Sequence, residues 1–440
     1  MGNPRVGNPD HKRKVNMPSP ENEVMAYTLS ELLTPLIYKQ FSHYKQLGLR
    51  ERILGLPLMV AAVLTLLWRQ VPSVRELCRL LNREDLLWCS SIKVSQQALS
   101  KRFLEFPSSV FEQVMMELIP QLKARWLKRK NRPLTASIKF TKTKFERIWI
   151  VDGSTLEALF RHLQSLEDKT SLLAGKIYVL VDLLTHLPVA IAFKENPYHS
   201  DTKIWGWLKS CIPSNTLLIF DRGFYDFREF AALVSQDAAW ITRLKKASYR
   251  VQKTLSKTPL LIDQIIELGH KQGKAKPIIV RLIEVKRGKT WYKYITSVKD
   301  PSQLPPYVVA DLYNRRWRIE TAFCLVKRLL GLAYIWTGSL NGIKLQIWAT
   351  WLFYAVLLDV ADNVADELAV ETEQISIEML FRSFYHFNHA YNQGTTTDLI
   401  AYLTSPLNQD LGIVKYQPKS RTRDVLDLSP YPDLTEARSP

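Results

Sequence analysis

The segment from Arg147 to Leu244 constrains the fold more than any other part of the chain. It contains three short β-rich runs, which are RIWIVDGST, GKIYVLVDLL and VAIAF. After them come a helical pattern DTKIWGWLKSCI, a run NTLLIF, a helical pattern FREFAALVSQ and a last run AAWITRL. Short runs of β-branched and aromatic residues bounded by turns are typical of strands. The order strand, strand, strand, helix, strand, helix, strand predicts an α/β fold with a mixed sheet flanked by helices.

Three acidic residues stand at positions where this fold would expose a side chain. Asp152 follows the first predicted strand, Asp221 follows the fourth, and Glu320 lies in a later helix. Strands one and four of this order lie side by side, and a strand end holds its backbone rigidly while presenting a side chain. We therefore expect Asp152 and Asp221 to meet at one edge of the sheet, with Glu320 closing the set from a helix laid across that edge.

Three carboxylates that meet without a cation repel one another and raise each other's pKa. A pair of divalent ions removes this repulsion, and oxygen-only ligands favour Mg²⁺ or Mn²⁺. Two such ions about 3.5–4 Å apart activate a water or a 3′-hydroxyl and stabilise the leaving oxygen of a phosphodiester. The pattern therefore predicts in-line attack at phosphorus.

Each acid also has a simpler interpretation. Asp152 in D-G-S is commonly a turn residue, and D-R-G at Asp221 is equally ordinary after a strand. Glu320 on a helix surface pairs readily with Arg316 or Lys327, which contributes about 0.2–0.5 kcal/mol. Taken one at a time, these residues leave both interpretations open.

The stretch YNRRWRIETAFCLVKRLLGL, residues 313 to 332, has an unusual distribution of polar residues for an amphipathic helix. At about 100° per residue, Tyr313, Arg316, Glu320 and Lys327 fall on one stripe about 60° wide. The apolar positions of the helix fall directly beside that stripe and are Ile319, Phe323, Val326 and Leu330. The pattern predicts a helix packed on the core that carries one polar seam.

Positive charge is concentrated in two stretches. The chain carries a net charge of +18, with a sequence pI near 9.6. Residues 121–147 contain ten Lys and Arg against one acid, and residues 242–299 contain fifteen against three. An excess of this size favours a polyanionic partner, nucleic acid first and an acidic membrane second. The clustering predicts two binding faces.

The spacing Y-x2-R-x3-E-x6-K, filled by Tyr313, Arg316, Glu320 and Lys327, resembles the signature of insertion-sequence transposases of the IS-four type in the DDE superfamily. IVDGST resembles the first-aspartate strand of that family, and LLIFDRGFYD resembles its second-aspartate block. ADLYNRRWRIETAFCLVKRLLGL resembles its third block. The resemblance covers roughly residues 145 to 360.

This resemblance implies a ribonuclease H-like catalytic core over residues 145–243 and 305–360, with a mostly β, basic insertion over 244–304 before the third acid. It implies that Asp152, Asp221 and Glu320 are the catalytic ligands of two Mg²⁺ or Mn²⁺ ions. The residues implied as DNA contacts are Tyr313, Arg316, Lys327 and Arg222. Gly223 is implied to let the backbone turn sharply after Asp221.

The resemblance also implies a function. Such enzymes bind double-stranded DNA at the ends of their element, cut it and join it to a target, and they act as homodimers in the paired-end complex. Some pass through a hairpin in which an aromatic side chain stacks on a flipped base, and Trp291 is a candidate for this role or for simple packing. Two alternatives stay open: a metal-dependent structure-selective nuclease, and an inactive DNA-binding repressor derived from a transposase.

The flanking regions carry less information. Residues 25–140 are predicted to be a helical DNA-binding region, and residues 361–414 a C-terminal helical region. Residues 1–24 and 415–440 are predicted to be disordered tails. PSVRELCRLL and VSQQALSKRFLEF form either a helix-turn-helix or a plain helical hairpin, with Ser95 as an N-cap. In the first case the residues available to DNA would be Gln96, Gln97, Ser100, Lys101 and Arg102.

Other site and membrane classes find little support. The four cysteines form no C-x-x-C pair, and the H-x-x-H of His386 and His389 has no cysteine or carboxylate close by in sequence, so we predict no metal site there. The apolar runs Ile53–Trp68 and Ile347–Leu358 are shorter than the roughly twenty residues that span a bilayer. No signal-peptide pattern opens the sequence. We therefore expect a cytoplasmic protein, associated with the nucleoid through DNA, that does not bind membranes.

Overall fold

The computed structural model describes residues 23–48, 53–156, 175–269, 277–332, 336 and 339–415. The predicted tails lie outside this part of the chain, except for Lys415 and for Glu23 and Val24, which open the first helix. The chain divides into two compact units. The first comprises Met1–Leu118, Leu330–Phe353 and Phe384–Leu399, and the second comprises Ile119–Leu329, Tyr354–Ser383 and Ile400–Pro440.

The described residues before the sheet form helices, as the sequence predicts for residues 26–130. These helices are α1 Glu23–Lys39, α2 Phe41–Gln46, α3 Leu56–Trp68, α4 Val74–Leu81, α5 Gln96–Glu105, α6 Ser108–Lys128 and α7 Ala136–Lys142. Helix α3 is buried at every position except Pro57, because its residues are almost all apolar. It forms part of the core of the first unit.

Helices α4 and α5 are joined by fourteen residues, 82–95. A helix-turn-helix has a turn of three or four residues, so the geometry favours the helical hairpin. Asn82 holds the base of the loop by donating to Val94 O at 3.3 Å and accepting from Val94 N at 2.8 Å. Ser95 is the N-cap, accepting from Ala98 N at 3.2 Å. Arg102 is bound within the protein, since its Nε donates to the Leu54 carbonyl at 3.1 Å.

The second unit contains a nine-stranded mixed sheet with the order β3-β2-β1-β4-β5-β9-β8-β7-β6. Its first strands are β1 Arg147–Thr155, β2 Lys176–Asp182, β3 Pro188–Lys194, β4 Thr216–Phe220 and β5 Ala238–Arg243. Helix α8, Trp205–Cys211, precedes β4, and helix α9, Phe227–Ser235, precedes β5. The predicted order of five strands and two helices is confirmed.

Strand β1 runs parallel to β4, and β4 runs parallel to β5, because helical crossovers join β3 to β4 and β4 to β5. Trp149 and Val151 face an aromatic core built around Trp205 and Phe220. Side chains alternate along a strand, so Asp152 points to the opposite face of the sheet. The acidic side chain of β1 therefore lies on the face of the sheet opposite the aromatic core.

The inserted strands extend the same sheet. They are β6 Tyr249–Lys257, β7 Leu261–Leu268, β8 Ile278–Arg287 and β9 Thr290–Thr296. The sequence indicated only β8 and β9. Strand β9 pairs with β5, for example Ile295 with Thr242. In this insertion the Arg281 guanidinium is fully buried and binds both oxygens of Asp263 at 2.8 and 2.7 Å.

The polar-seam region is broken into shorter pieces, so the prediction of one regular helix over residues 313–332 is wrong. Helix α10, Pro306–Arg315, is followed by α11, Trp317–Cys324, and by a π-helical turn, Leu325–Leu329. The break is a local tightening at Arg316, whose amide donates to Tyr313 O at 3.1 Å and whose carbonyl accepts from Ile319 N at 3.2 Å. The predicted apolar flank is buried, with Ile319, Phe323, Val326 and Leu330 all at most 5% exposed.

The remaining helices are α12 Leu340–Glu367, α13 Ile377–Asn392 and α14 Leu399–Thr404. The apolar run Ile347–Leu358 lies inside helix α12, which has 28 residues. The helix is therefore longer than the length of that run predicted. Among the described residues it is the one helix that is long and apolar enough to cross a membrane, and its most apolar window is 94% buried. A buried core helix has the same character, so this is weak evidence for a membrane span.

Candidate active site

Asp152 lies inside β1, and its interpretation as a turn residue is wrong. It pairs with Val179 of β2, whereas the parallel pairing with β4 ends one residue earlier, at Val151 with Phe220. Its Oδ1 accepts from Gly153 N at 2.8 Å. Strand β1 therefore continues past the end of β4, and the Asp152 carboxylate stands beside that end.

Asp221 is the first residue after β4 and caps the 3₁₀ turn Arg222–Phe224. Val151 and Phe220 are paired, so Asp152 and Asp221 follow paired positions on neighbouring parallel strands, whose backbones lie about 4.8 Å apart. The structure thus brings these two acids together at one end of the sheet, although 69 residues separate them in the sequence.

Gly223, two residues after Asp221, lies close to two carboxylates. A Cβ atom at Gly223 would lie 2.5 Å from Asp201 Oδ2 and 2.9 Å from Asp221 Oδ1. Gly223 lies in the 3₁₀ turn Arg222–Phe224, so the backbone turns sharply here, but its φ angle is outside the positive region and does not itself demand a glycine. The amide of Gly223 donates to Asp221 Oδ1 at 2.7 Å, which fixes the orientation of that carboxylate.

Arg316 links the helix to the sheet acids. Its Nη1 donates to Asp152 Oδ2 at 2.6 Å, and its Nη2 donates to Glu320 Oε1 at 2.7 Å. The guanidinium is buried, with 8% of the side chain exposed, whereas 37% of the Glu320 side chain is exposed. One guanidinium therefore holds two of the three predicted acids in a single cluster.

The other predicted DNA contacts lie around this cluster. Tyr313 is buried, with its ring centroid 5.4 Å from that of Tyr294. Lys327 Nζ donates to Ser154 Oγ and to Thr155 O, both at 2.6 Å, which anchors the π-helical turn to β1. Arg222 is exposed on the 3₁₀ turn. Of these residues, Arg222 has its side chain most open to solvent.

Asp152 is held partly protonated at moderately acidic pH. Burial raises its pKa to about 6, and the nearby Asp221 and Glu320 carboxylates act in the same direction. Arg316 and the bond from Gly153 oppose this rise without cancelling it. The cluster therefore has more negative charge than one guanidinium neutralises, which is the electrostatic situation that a divalent cation relieves.

The raised pKa of Asp152 predicts a pH-dependent stability. An unfolded Asp titrates near pH 3.9, so between about pH 4 and 6 the folded state binds the extra proton. We expect this contribution to be present below pH 4 and lost as the pH rises through 6, at about 3 kcal/mol or less. Urea unfolding of the parent protein and of Asp152→Asn at several pH values measures it. Equal pH slopes for the two proteins would contradict the assignment.

A fourth acid beside the site was missed by sequence reasoning. Asp201 opens a short 3₁₀ turn, Asp201–Ile204, and its Oδ2 lies against Gly223. Lys176 of β2 forms an ion pair with Asp201 and also donates to the His199 carbonyl at 3.2 Å. No spacing in the sequence connects Asp201 with Asp221, so only the folded chain reveals this neighbour.

The donor set fits a divalent ion in its chemistry, since carboxylate oxygens are the ligands that Mg²⁺ and Mn²⁺ prefer. Across the described ranges, however, no three His, Cys, Asp or Glu side chains are already gathered tightly enough to hold a metal together. Asp152 and Glu320 instead share the Arg316 guanidinium. A metal at Asp152 and Glu320 would therefore either share these carboxylates with Arg316 or displace it.

Three arginines of the first basic stretch form ion pairs within the protein. Arg129 Nη1 binds Asp359 at 2.8 Å and Asp362 at 2.9 Å, and Arg132 Nε binds Asp362 at 2.7 Å. Arg125 Nε also lies 3.0 Å from Asp359. These arginines attach the end of α6 and the following loop to α12. The prediction that residues 121–147 act as one binding face is therefore wrong for these three arginines, while the exposed lysines Lys128, Lys130, Lys139, Lys142 and Lys144 remain.

The second basic stretch has a more open face. Strand β6 is the edge of the sheet and is exposed along most of its length, including Arg250, Lys253 and Lys257. Trp291 is half-buried, and Lys286 Nζ lies 6.0 Å from the centre of its ring. An ordered, cationic sheet edge matches the predicted basic face better than the first stretch does.

Comparison with known proteins identifies a similar family. Residues 143–356 match the family described as the transposase DDE domain. This part of the chain is therefore similar to DDE transposases. The matched segment contains Asp152, Asp221, Glu320 and the inserted strands, in agreement with the resemblance seen in the sequence.

Individual relatives agree with the family. The chain is 29% identical over 156 residues to a protein named as a transposase in Sinorhizobium fredii. It is 22% identical over 187 residues to one named as a transposase for an insertion sequence element in Synechocystis. These matches cover 33% and 41% of this chain and 43% and 52% of those relatives, so the chain spans about half of their length. A similarly named protein of Geobacillus stearothermophilus is 22% identical over 62% of this chain and 71% of its own.

Proposed function

We propose that this protein is a DDE transposase that binds the ends of its insertion sequence, cleaves them by metal-dependent hydrolysis and transesterification, and joins them to target DNA by a cut-and-paste route. One observation carries the proposal. Asp152 and Asp221 each directly follow the last paired residues of the parallel strands β1 and β4, and Arg316 binds both Asp152 and Glu320. Three acids from distant parts of the sequence thus share one surface at a sheet end.

The proposed domains have the boundaries expected from the sequence. A ribonuclease H-like core comprises residues 145–243 and 305–360, with β6–β9 as its insertion over 244–304. The strand order β3-β2-β1-β4-β5, with parallel β1, β4 and β5, supports this assignment. Residues 25–140 are proposed as a helical DNA-binding region, and residues 361–414 as a C-terminal helical region.

Three acids would hold the metal ions, and four further residues would contact DNA. Asp152, Asp221 and Glu320 would hold two Mg²⁺ or Mn²⁺ ions, which when bound polarise the phosphate and lower the pKa of the attacking hydroxyl group. Arg316, once released from its carboxylates, has the fork geometry that suits a phosphate. The proposed further DNA contacts are Tyr313, Lys327 and Arg222.

The test uses the DNA that flanks the gene, where short inverted repeats would define the element ends. A labelled duplex carrying such a repeat is incubated with the protein and Mg²⁺, and nicking and joining into a plasmid are measured. Cleavage with joining supports the transposase. Cleavage without joining would indicate a structure-selective nuclease, and binding without cleavage would indicate a repressor. Either of the last two outcomes overturns the proposal.

DNA binding by the basic surfaces is expected to depend strongly on salt. If six or more phosphates are contacted, affinity for the element end should fall by about 10³-fold or more between 50 and 200 mM salt. Fluorescence anisotropy with a labelled duplex measures the slope of log affinity against log salt. A variant with Lys253→Gln and Lys257→Gln on β6 should give a shallower slope, by about one for each phosphate that it no longer binds. A flat response of the parent protein would rule out these surfaces as the DNA-binding faces.

We further propose a homodimer in the complex that pairs two element ends, acting in the cytoplasm on chromosomal DNA without a membrane partner. Light scattering of the protein with and without the duplex tests the dimer. A single protomer on paired ends would contradict it.

A further inference from the structure

The helix that carries Glu320 is held from its far side by a residue of another element. Arg315 Nη1 donates to Glu373 Oε1 at 2.6 Å, and Arg318 Nη2 forms an ion pair with Glu373 Oε2. Arg315 closes α10 and Arg318 lies in the first turn of α11, so the two arginines lie on either side of the break at Arg316. One carboxylate therefore bridges the two helical segments across their junction.

These contacts and the site contacts involve different elements of the second unit. Arg315 and Arg318 bind Glu373, whereas Arg316 binds Asp152 of β1 and Glu320. A change in how Glu373 holds its arginines would thus rotate Arg316 and Glu320 relative to Asp152.

Glu373 is itself well anchored. It lies in the 3₁₀ turn Thr372–Gln374, and Lys415 Nζ donates to its carbonyl at 2.8 Å. The hydroxyl of Thr372 donates to Asp362 Oδ1 at 3.1 Å, which ties the turn to α12. Only 10% of the Glu373 side chain is exposed.

The charge of Glu373 is maintained despite this burial. Burial by itself would raise the pKa of the carboxyl, but Arg315, His186 and Arg318 together lower it below its usual value. Arg315 has a second acidic partner, Asp311 Oδ2 at 2.8 Å, so its guanidinium is held in a fixed plane. Arg315 is therefore held by two carboxylates, those of Asp311 and Glu373.

We propose that Glu373 is a positioning residue for the active site: by binding Arg315 and Arg318 it fixes the break in the helix and so the direction of Arg316 and Glu320. The inference rests on the proposed function for its catalytic readout. Glu373 follows Glu320 by 53 residues and lies outside the segment that matches the transposase family.

The variant Glu373→Gln keeps the size of the side chain and removes its charge. We expect the kcat for cleavage of the element end to fall about 10-fold to 100-fold with the affinity for DNA unchanged, because a displacement of about 1 Å at a site costs on that order. Mn²⁺ affinity, measured by electron paramagnetic resonance, should weaken in the same variant because Glu320 is displaced. The matched control is Glu378→Gln, which breaks an exposed ion pair with Arg382 on α13.

A double-variant cycle separates positioning from general loss of structure. If Glu373 and Arg318 act through one contact, removing both partners should cost no more than removing one. The kcat of the double variant Glu373→Gln, Arg318→Gln should therefore equal that of the less active single variant. Additive losses would overturn the proposal, as would a Glu373→Gln protein with parental kcat and parental Mn²⁺ affinity. Equal loss of DNA binding and cleavage would overturn it too. If Glu373→Gln does not fold, Arg318→Gln, whose side chain is 34% exposed, provides the same readouts.

The two proposals fail in different ways. A parent protein that binds Mn²⁺ but cuts no DNA refutes the proposed function, whereas the Mn²⁺ measurement on Glu373→Gln still tests the positioning role. A parent protein that cuts DNA while Glu373→Gln cuts equally well refutes only the positioning role.

Discussion

Replacing Asp152, Asp221 or Glu320 by Ala is expected to reduce Mg²⁺-dependent cleavage of the element end by about 10³-fold or more. Metal-assisted stabilisation of the charge that develops at phosphorus is worth several kcal/mol, and each factor of ten in rate corresponds to about 1.4 kcal/mol. Removing one carboxylate from the proposed metal ligands should forfeit most of that stabilisation. The measurement is single-turnover cleavage of the labelled duplex.

The control for this experiment is Asp300→Ala, because Asp300 is exposed and its carboxylate accepts from the amide and the hydroxyl of Ser302, both at 2.8 Å. It should cut at the parental rate. DNA affinity should be kept or slightly raised in all three site variants, since each loses a negative charge near the phosphates. If the three site variants cut as fast as Asp300→Ala, the assignment of these acids is wrong.

Replacing Arg316 by Gln is expected to destabilise the metal-free protein by about 3 kcal/mol. Removing one partner of a buried ion pair leaves an uncompensated charge, which typically costs about 3–5 kcal/mol. The lower end applies because 37% of the Glu320 side chain is exposed. Asp152 and Glu320 would then face each other without a cation. Mg²⁺ should restore more stability to this variant than to the parent protein, because guanidinium and metal compete for the same carboxylates.

Urea unfolding at neutral pH, with EDTA or with Mg²⁺, measures both effects. The matched control is Arg382→Gln, whose exposed pair with Glu378 on one helix should contribute about 0.5 kcal/mol or less. Two outcomes would count against the role of Arg316 as the cation of the metal-free site. One is an Arg316→Gln protein as stable as Arg382→Gln, and the other is equal stabilisation by Mg²⁺ in parent and variant.

The catalytic sheet was predictable because its signals are local. NTLLIF and AAWITRL are short apolar runs between turns, and a chain that alternates them with amphipathic helices has few ways to bury both. The adjacency of Asp152 and Asp221 followed from the predicted strand order. The similarity of residues 143–356 to DDE transposases likewise followed from residues at constant spacing around Glu320.

The errors arose where distant groups compete for a residue. A count of charges assigned Arg125, Arg129 and Arg132 to a DNA face, but Asp359 and Asp362 bind them. A constant helical angle put Arg316 on the same seam as Glu320, but it revealed neither the local tightening at Arg316 nor the ion pair with Asp152. Charge and periodicity are properties of a segment, whereas ion pairs depend on which segments meet.

The amino-acid order alone determined the five strands and two helices of the segment from Arg147 to Leu244 and the candidate acids, because backbone propensity and apolar periodicity act over a few residues. Which cation neutralises those acids was set by folding. The same holds for the contact of Asp201 with Gly223 and for the role of Glu373 behind the helix. These contacts join residues tens to hundreds of positions apart, and electrostatic and steric forces act through space over a few ångströms, so they exist only once the chain has packed.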